Sequence, residues 1–356
     1  MSDSRKFRVC LVAPFPPRKG GVTVQTALLT QYLEDSGVEV LKVDTNLQWL
    51  RSRGLGPIRL ALQPWFVWFR MLRQMPKCDV VHFQSASYWA FMPTFLGVPL
   101  ARLLGKRSVV SYQGSLGPAF IDRCGWIATM PLRRCTVPTV CSRELREAFG
   151  ARGIETELHH NLFEAERFRF RERTVIEPKI CWTRSLDDIY DPVSALKAFE
   201  LVRKPYPEAT LAMTSNGPLR QALTDYIAQH DLSGATLTGR LPSEDIVRLM
   251  LDSSICLNTS VNDGLPTALL EAAATGLAIV TTNVGGIGSL FENGVSAMLV
   301  EPGDYEAMAH AVCELLAHPD KARAMGAAAR AVAEEYSWQN VSGEYARFYG
   351  LPNGAF

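Results

Sequence analysis

The 356-residue sequence lacks three patterns that define common functional classes. Its eight cysteines are scattered and no two form a Cys-x-x-Cys pair, so neither a zinc site nor a redox motif is supported. No apolar run reaches the roughly 18–20 residues that a membrane-spanning helix needs. No Gly-x-Gly-x-x-Gly follows the first strand pattern, which disfavours a nicotinamide-dependent dehydrogenase.

The start of the sequence and its cysteine usage point to the same compartment. The stretch MSDSRKFRVCLVAP passes from a polar tail directly into a strand pattern, without the features of a signal peptide. Cysteines inside the apolar runs VCLVA and SICLN are typical of small core residues, which suits a reducing environment. We therefore expect a cytoplasmic protein.

The net charge of +1 hides an uneven distribution along the chain. Residues 1–165 carry 21 lysines and arginines against 12 acidic residues, whereas residues 166–356 carry 16 against 24. A basic first half indicates an anionic partner, although variation of the surface alone is an alternative. Nucleic acid is disfavoured as that partner, because the basic half contains no recognised nucleic-acid module and the second half is acidic.

Strand and helix patterns alternate along the chain and predict an α/β fold. Residues 7–14, 78–85 and 107–114 are buried-strand patterns with helical patterns between them. The alternation breaks in the charged segment 159–178 and resumes with KICWTRS. The sequence therefore predicts two doubly wound α/β domains, each with a parallel sheet covered on both faces.

The segment NDGLPTALLEAAATGLAIVTTNVGG (262–286) contains a loop-to-helix turn inside an apolar stretch. Pro266 suits the first turn of a helix, Thr267 is a plausible cap and Gly276 suits the position after the last turn. These signals predict a helix over about 268–275. The strand patterns SICLN and LAIVTT on either side complete a βαβ unit.

Two carboxylates flank this turn. Ligands of open α/β sheets bind at the carboxyl ends of the strands, where helix N-termini favour phosphate. Glu271 lies about one turn into the predicted helix, close enough to accept hydrogen bonds from a ribose, and Asp263 can meet a sugar hydroxyl. The pair therefore suits a nucleotide sugar, while a capping carboxylate plus a surface glutamate explains it equally well.

The same segment, from Asp263 to Gly286, resembles the Glu-x7-Glu segment of retaining glycosyltransferases of family 4. A passage that ends in HHNLFEAERF is similar to the family's interdomain segment, with Asn161, Glu164 and Phe168 in register. Further similar segments, more specific in the C-terminal half than in the N-terminal half, are PFPPRKGGVTVQTALL, GKRSVVSYQGS, TRSLDD, TSNGPLR, LVEPGDYEAMAHAV and EEYSWQNVSGEYARFY. The resemblance thus runs over nearly the whole chain.

The resemblance implies the GT-B fold, with two Rossmann-like α/β domains that face a central cleft. On this basis we expect an acceptor-binding domain over residues 1–165 and a donor-binding domain over residues 166–336. We expect residues 337–356 to form a helix that crosses back to the first domain.

The resemblance also implies a role for particular residues. Glu271 would hold the nucleotide ribose, Asp263 would contact the donor sugar, and Arg184 would pair with the diphosphate through its fork of donors. The residues expected to be catalytic are Asp263, Gln113 and Arg184. The residues expected to bind the donor are Gly20, Gly21, Arg184, Tyr190, Asn216, Gly217, Gly264, Leu265, Pro266, Thr267 and Glu271.

Four positions depart from the family pattern. Tyr190 stands where the family places a second diphosphate-binding lysine, and Gln113 replaces a histidine that touches the donor sugar. Ser289 stands where a glutamate often follows Gly-Gly, and Asp263 is one methylene shorter than the usual glutamate. Tyrosine and glutamine still donate hydrogen bonds. Together these changes leave less positive charge for the diphosphate.

The implied reaction is sugar transfer from a UDP- or GDP-sugar with retention at the anomeric carbon. The protein would stabilise the leaving diphosphate electrostatically and position the acceptor hydroxyl. No cofactor and no catalytic metal are expected. Asp187 and Asp188 are read as loop carboxylates near Arg184 rather than as a metal motif.

Residues 57–77, PIRLALQPWFVWFRMLRQMPK, combine cations with aromatic residues. Such a segment can lie in a membrane interface with its cations on anionic headgroups. A core helix with a solvated basic edge is nearly as good an explanation. The first interpretation predicts a peripheral enzyme at the inner face of the cytoplasmic membrane, acting on a glycan or lipid-linked acceptor in surface polysaccharide or glycolipid synthesis.

Two alternatives share the expected fold. A nucleotide-sugar epimerase would release a free sugar without any acceptor. A non-catalytic nucleotide-sugar-binding protein is suggested by Tyr190 and Gln113, because both replace residues that act on the donor in the family. Dependence of turnover on an acceptor separates these alternatives from a transferase.

Overall fold

The computed structural model describes residues 6–17, 21–46, 56–114, 117–264 and 266–356, without the side chains of residues 56–62. The chain divides into two compact units. The first unit comprises Met1–Leu162 together with Trp338–Phe356, and the second comprises Phe163–Ser337. The C-terminal segment therefore belongs to the first unit.

The first unit alternates strands and helices. In chain order, the elements of its described residues are β1 (Arg8–Ala13), α1 (Gly21–Asp35), β2 (Glu39–Asp44), α2 (Gly56–Gln74), β3 (Val80–Ser85), α3 (Met92–Leu103), β4 (Arg107–Tyr112), α4 (Gly117–Arg134), β5 (Val137–Val140), α5 (Arg143–Gly150), β6 (Glu157–Leu158) and α13 (Trp338–Tyr349). All of its strand pairs are parallel, in the order β2-β1-β3-β4-β5-β6.

Helices cover both faces of this first sheet. Alternate residues of β1 point to opposite faces, as in any strand. Cys10 and Val12 join a buried cluster with residues of α2, α3, α4 and α5. Val9 and Leu11 join a separate cluster with residues of α1 and with Tyr345 on α13. The C-terminal helix α13 therefore completes the apolar layer that α1 begins.

The second unit repeats the pattern. In chain order, the elements of its described residues are β7 (Lys179–Trp182), α6 (Pro192–Val202), β8 (Thr210–Thr214), α7 (Arg220–Gln229), β9 (Ala235–Gly239), α8 (Ser243–Asp252), β10 (Ile255–Asn258), α9 (Thr267–Ala274), β11 (Ala278–Thr282), α10 (Ile287–Leu290), β12 (Met298–Val300), α11 (Tyr305–Ala317) and α12 (Pro319–Glu335). The sheet is again parallel, in the order β12-β11-β10-β7-β8-β9.

The prediction of a doubly wound α/β fold with parallel sheets is confirmed. In each unit the strand order reverses once, between β1 and β3 in the first sheet and between β7 and β10 in the second. Ligands of open α/β sheets bind beyond the carboxyl ends of the strands at such a reversal. Along the described parts of the chain, no helix is both long and apolar enough to cross a membrane.

Candidate functional site

The predicted site residues of the second unit follow the two strands at which the sheet order reverses. Arg184 comes two residues after β7, and Asp263 follows β10 in the loop that leads to α9. Glu271 lies on α9 itself. Because parallel strands end at the same edge of a sheet, this topology brings the two loops together.

Arg184 and Asp263 form an ion pair in which the guanidinium donates to the carboxylate. Each side chain is only 12% exposed. The guanidinium carbon of Arg184 lies 4.2 Å from the centroid of the Tyr190 ring, a distance at which a cation and an aromatic face attract. Burial raises the pKa of Asp263, and the Arg184 guanidinium and the Gly264 N–H oppose that rise.

The Arg184 guanidinium is not fully satisfied within the described residues. Its Nε is buried and has no hydrogen-bond partner there. A buried donor without a partner costs about 1–3 kcal/mol, so such groups in native proteins usually serve a ligand, a water or an ion. The arginine fork therefore has capacity left for an anion.

Tyr190 is fixed by a short chain of hydrogen bonds. The buried Trp182 donates from Nε1 to the Thr259 hydroxyl at 3.0 Å, and that hydroxyl donates to the Tyr190 carbonyl at 2.7 Å. The N–H of Val261 donates to the carbonyl of Ile189 at 2.8 Å. These bonds tie the loop that carries Tyr190 to the end of β10, so the ring is a supported surface for Arg184.

Glu271 on α9 carries a half-buried carboxyl group. Burial raises its pKa to about 7, against the opposing influence of Arg167 and Arg184, while Glu164 raises it further. Arg167 is itself 3.6 Å from Glu164. The carboxyl group of Glu271 therefore changes its charge near neutral pH, where a hydrogen-bonding ligand can shift the balance.

Two glycines that the sequence analysis did not single out as site residues shape the Asp263 loop. The N–H of Gly286 donates to the Asp263 carbonyl at 2.9 Å. A Cβ at Gly286 would overlap the carbonyl oxygen of Gly264, and a Cβ at Gly285 would overlap that of Asp263. The Gly-Gly pair directly after the strand pattern LAIVTT was the available signal, because close backbone approach requires glycine.

Asn216 and Gly217 contact the loop that carries Arg184. The N–H of Leu186 donates to the Asn216 carbonyl at 3.3 Å, and the N–H of Leu219 donates to the Leu186 carbonyl at 3.1 Å. A Cβ at Gly217 would overlap the Leu186 carbonyl. In this structure the two residues thus hold the arginine loop in place.

The helix α9 begins one residue earlier than predicted, which shifts both Pro266 and Thr267 from their predicted positions. Thr267 is the first helical residue rather than the cap, so that prediction is wrong. Pro266 occupies the N-cap position, where its extended backbone begins the helix without a side-chain hydrogen bond. At the other end Gly276 has φ +76, as expected for the residue that follows a helix.

Other predicted residues have these positions. Gly264 is exposed in the turn, and Leu265 lies outside the described residues. Ser289 donates to the Gly286 carbonyl at 3.0 Å. Asp187 accepts a hydrogen bond from Ser185. In the ranges that the structure describes, no three His, Cys, Asp or Glu side chains are grouped so as to hold a metal ion.

Three predicted residues belong to the first unit. Gly20 lies outside the described residues, and Gly21 is the first residue of α1. Gln113 follows β4, and its Nε2 donates to Oε1 of Gln84 at 2.6 Å. The position where the family has a histidine thus carries a glutamine, Gln113, whose side-chain amide already donates to another protein residue.

A family model described as "Glycosyl transferases group 1" matches residues 177–318. A glycogen synthase of Mycobacterium tuberculosis is 26% identical over 286 residues, which cover 76% of this chain and 68% of that protein. A GDP-mannose-dependent alpha-(1-6)-phosphatidylinositol monomannoside mannosyltransferase of Mycolicibacterium smegmatis is 28% identical over 91% of this chain and 93% of its own.

A solved structure of Anabaena Alr3699/HepE in complex with UDP has a similar fold. Its TM-score is 0.75 and its sequence identity 14%, over 97% of this chain and 100% of that chain. A glycosyltransferase of Rickettsia africae gives a TM-score of 0.73 at 15% identity, over 97% of this chain and 98% of that chain. At these identities the likeness concerns the fold.

The raised pKa of Glu271 predicts a pH dependence of stability. Between about pH 4.5 and pH 7 the folded chain keeps a proton that the unfolded chain loses, so the free energy of unfolding falls as pH rises. A shift of this size corresponds to about 3 kcal/mol. We expect Glu271→Gln to remove this decrease in the free energy of unfolding, as measured by urea unfolding at pH 5 and pH 8. The matched control is Glu335→Gln, at the end of α12. Equal pH dependence in wild type and Glu271→Gln would contradict the prediction.

Proposed function

We propose that this chain is a glycosyl transferase of group 1 and that its second unit binds a nucleotide-diphosphate sugar, a UDP- or GDP-sugar. The enzyme transfers the sugar, with retention, to a hydroxyl group of a glycan or lipid-linked acceptor. The match of the family model to residues 177–318 supports the transferase activity. The donor and the class of acceptor are argued from the residues that follow, whereas retention rests on the family resemblance.

The observation that supports the donor most directly is the unfilled capacity of Arg184. A diphosphate supplies oxygens for the unpaired Nε, and an arginine fork matches phosphate geometry better than a point charge does. In this proposal Asp263 turns from Arg184 to the hydroxyls of the donor sugar. Glu271 accepts hydrogen bonds from the ribose.

The same residues carry out the proposed chemistry. As the bond between the sugar and the diphosphate breaks, negative charge grows on the leaving diphosphate. Arg184 and the backbone N–H groups at the start of α9 stabilise that charge. Because these groups supply the positive potential, we propose that the reaction needs neither a metal ion nor a cofactor, and that chelators leave its rate unchanged.

Tyr190 compensates in part for the missing lysine. Its ring adds no positive charge, but it packs against the guanidinium and so limits the rotamers that Arg184 can adopt. A cation placed over an aromatic face gains about 0.5–2 kcal/mol, depending on solvent exposure. We propose that a single oriented arginine replaces the usual pair of cations.

Helix α2 supports the proposal of a membrane-associated enzyme. Val67 and Met71 are buried in the core of the first unit, whereas the aromatic residues between and around them are exposed. The exposed fractions are 70% for Trp65, 40% for Phe66, 37% for Trp68 and 62% for Phe69. A core helix would bury these rings, so the structure favours an interfacial role.

The cations of this segment suit an anionic surface. Arg70, Arg73 and Lys77 are exposed, and the side chain of Arg59 lies outside the described residues. Aromatic rings at headgroup level with arginines beside them are typical of helices that lie in a membrane interface. The mannosyltransferase named above acts, by its name, on a phosphatidylinositol glycolipid, which accords with a lipid-linked acceptor here. We therefore place the enzyme at the inner face of the cytoplasmic membrane.

A thermal-shift panel of UDP-, GDP- and ADP-sugars tests the donor. A ligand at 100 times its dissociation constant adds about 2.7 kcal/mol to stability. We expect one nucleotide class to raise the melting temperature of the wild type, and Glu271→Ala to lose most of that rise. The exposed Glu335→Ala serves as the matched control. No shift with any nucleotide would contradict the proposal, and sugar release without an acceptor would indicate an epimerase.

Substitution of Tyr190 separates its ring from its hydroxyl. We expect Tyr190→Phe to keep nucleotide-sugar affinity within about twofold, because the ring face remains under Arg184. Tyr190→Leu is expected to weaken affinity by about 2- to 30-fold, the range that the loss of a cation–π contact implies. Isothermal titration with the donor measures both. Equal losses in the two variants would show that the hydroxyl, not the ring, is responsible.

Flotation with vesicles tests the membrane surface. Binding to phosphatidylglycerol-containing vesicles should exceed binding to neutral phosphatidylcholine vesicles and should weaken with salt. Removal of two cations in Arg73→Gln with Lys77→Gln is expected to lower binding by about 30-fold, at about 1 kcal/mol each. Val175→Ser with Val295→Ser, two exposed residues of the second unit, is the control. Absence of binding to both vesicle types would remove this part of the proposal.

A further inference from the structure

The first unit contains a cavity of about 370 Å³ at the carboxyl edge of its sheet. Pro14 and Thr45, which follow β1 and β2, and Gln84 near the end of β3 contribute to its floor. The strand order reverses between β1 and β3. The cavity therefore lies where an open α/β sheet binds its ligand, and its volume is within the range of small-molecule sites.

The walls of this cavity are mainly apolar. One wall is formed by Pro64, Val67 and Met71 of α2, and the facing wall is formed by Trp89, Met92 and Leu96. Pockets of this kind bind hydrocarbon surface and use a few polar groups for orientation. The lining thus selects a ligand that has an extended apolar part.

The amides beside the cavity already have protein partners. Gln63 donates from Nε2 to the carbonyl of Thr45 at 2.6 Å. Gln84 accepts from Nε2 of Gln113 at 2.6 Å. These bonds use one polar atom of each of the two lining glutamines, and most of the other lining residues are apolar. The second bond also joins the cavity wall to Gln113, which is predicted to be catalytic.

Helix α2 connects this cavity with the proposed membrane surface. Val67 and Met71 line the cavity, while Trp65 and Phe69 are exposed on the same helix. Trp89 at the opposite wall is 69% exposed, so the cavity has an apolar rim. Helix α2 thus carries apolar side chains both on its exposed face and in the cavity.

We propose that this cavity binds the hydrocarbon chain of a lipid-linked acceptor, in the segment next to the head group that receives the sugar. The inference rests on the proposed function, since it assigns the acceptor class of that reaction. It assigns the binding of acceptor chains to the first unit. Gly21, one of the residues expected to bind the donor, also lines this cavity. A water-soluble glycan without an apolar part leaves the cavity unused.

Alkyl glucosides of increasing chain length, each below its critical micelle concentration, provide the probe. We expect calorimetric affinity for the wild-type protein to rise about fourfold per CH₂ group, the factor that corresponds to about 0.8 kcal/mol. The rise should end at the length that fills the cavity. Exposed hydrophobic patches and micelles give no such limit, so a continued rise up to the longest chain would overturn the proposal.

Two filling variants locate the binding. Ala90 lines the cavity and is exposed at its rim, so Ala90→Phe fills the space without overpacking the core. Leu96→Trp fills it from α3. Both should lower the affinity for the best alkyl glucoside at least tenfold, while the exposed Ala151→Phe elsewhere in the first unit should not.

A surface variant distinguishes the cavity from the outer face of α2. Trp65→Ser with Phe69→Ser should keep the dependence on chain length, because neither residue lines the cavity. Loss of alkyl binding in this variant, with full binding in Ala90→Phe and Leu96→Trp, would overturn the proposal. Donor titrations in the same samples keep the two questions apart, because failure of nucleotide binding contradicts the proposed function and leaves the alkyl result standing.

Discussion

The ion pair between Arg184 and Asp263 is the contact on which the candidate site depends. It joins two loops that are 79 residues apart in the chain, and it keeps both charges nearly buried. A buried pair of this kind is stable only if further partners satisfy its remaining groups. The ring of Tyr190 is one such partner of Arg184. The unpaired Nε of Arg184 remains available for an anion, which we assign to the diphosphate of the donor.

Much of the surrounding structure serves to hold these two loops. Gly217 allows one loop to approach the arginine segment, and Gly286 binds the carbonyl of Asp263 while fitting closely under Gly264. Thr259 fixes the backbone of Tyr190 from the end of β10. The site is thus preorganised by backbone contacts, which restrict the loops before any ligand arrives.

The first unit separates polar from apolar surface in a different way. Helix α2 buries Val67 and Met71 while it exposes four aromatic rings, although a helix that covers a sheet usually exposes polar residues. Exposed aromatic residues lower solubility unless another surface covers them. The membrane interface that we propose, together with the apolar cavity beside the same helix, accounts for this arrangement.

Local sequence pattern determined the fold class and the approximate elements, because buried parallel strands and amphipathic helices have distinct periods. It also marked Asp263 and Glu271 as candidates, since Gly, Pro and carboxylate positions mark the turn before α9, whereas the other candidates came from the family resemblance. The pattern wrongly predicted Thr267 as the N-cap of α9. Thr267 is the first helical residue, one position after the cap. Only the tertiary structure brings the ring of Tyr190 against Arg184. It also raises the pKa of Glu271 through burial and forms the cavity beside α2. Those properties depend on burial and on contacts between distant segments, which the order of residues does not contain.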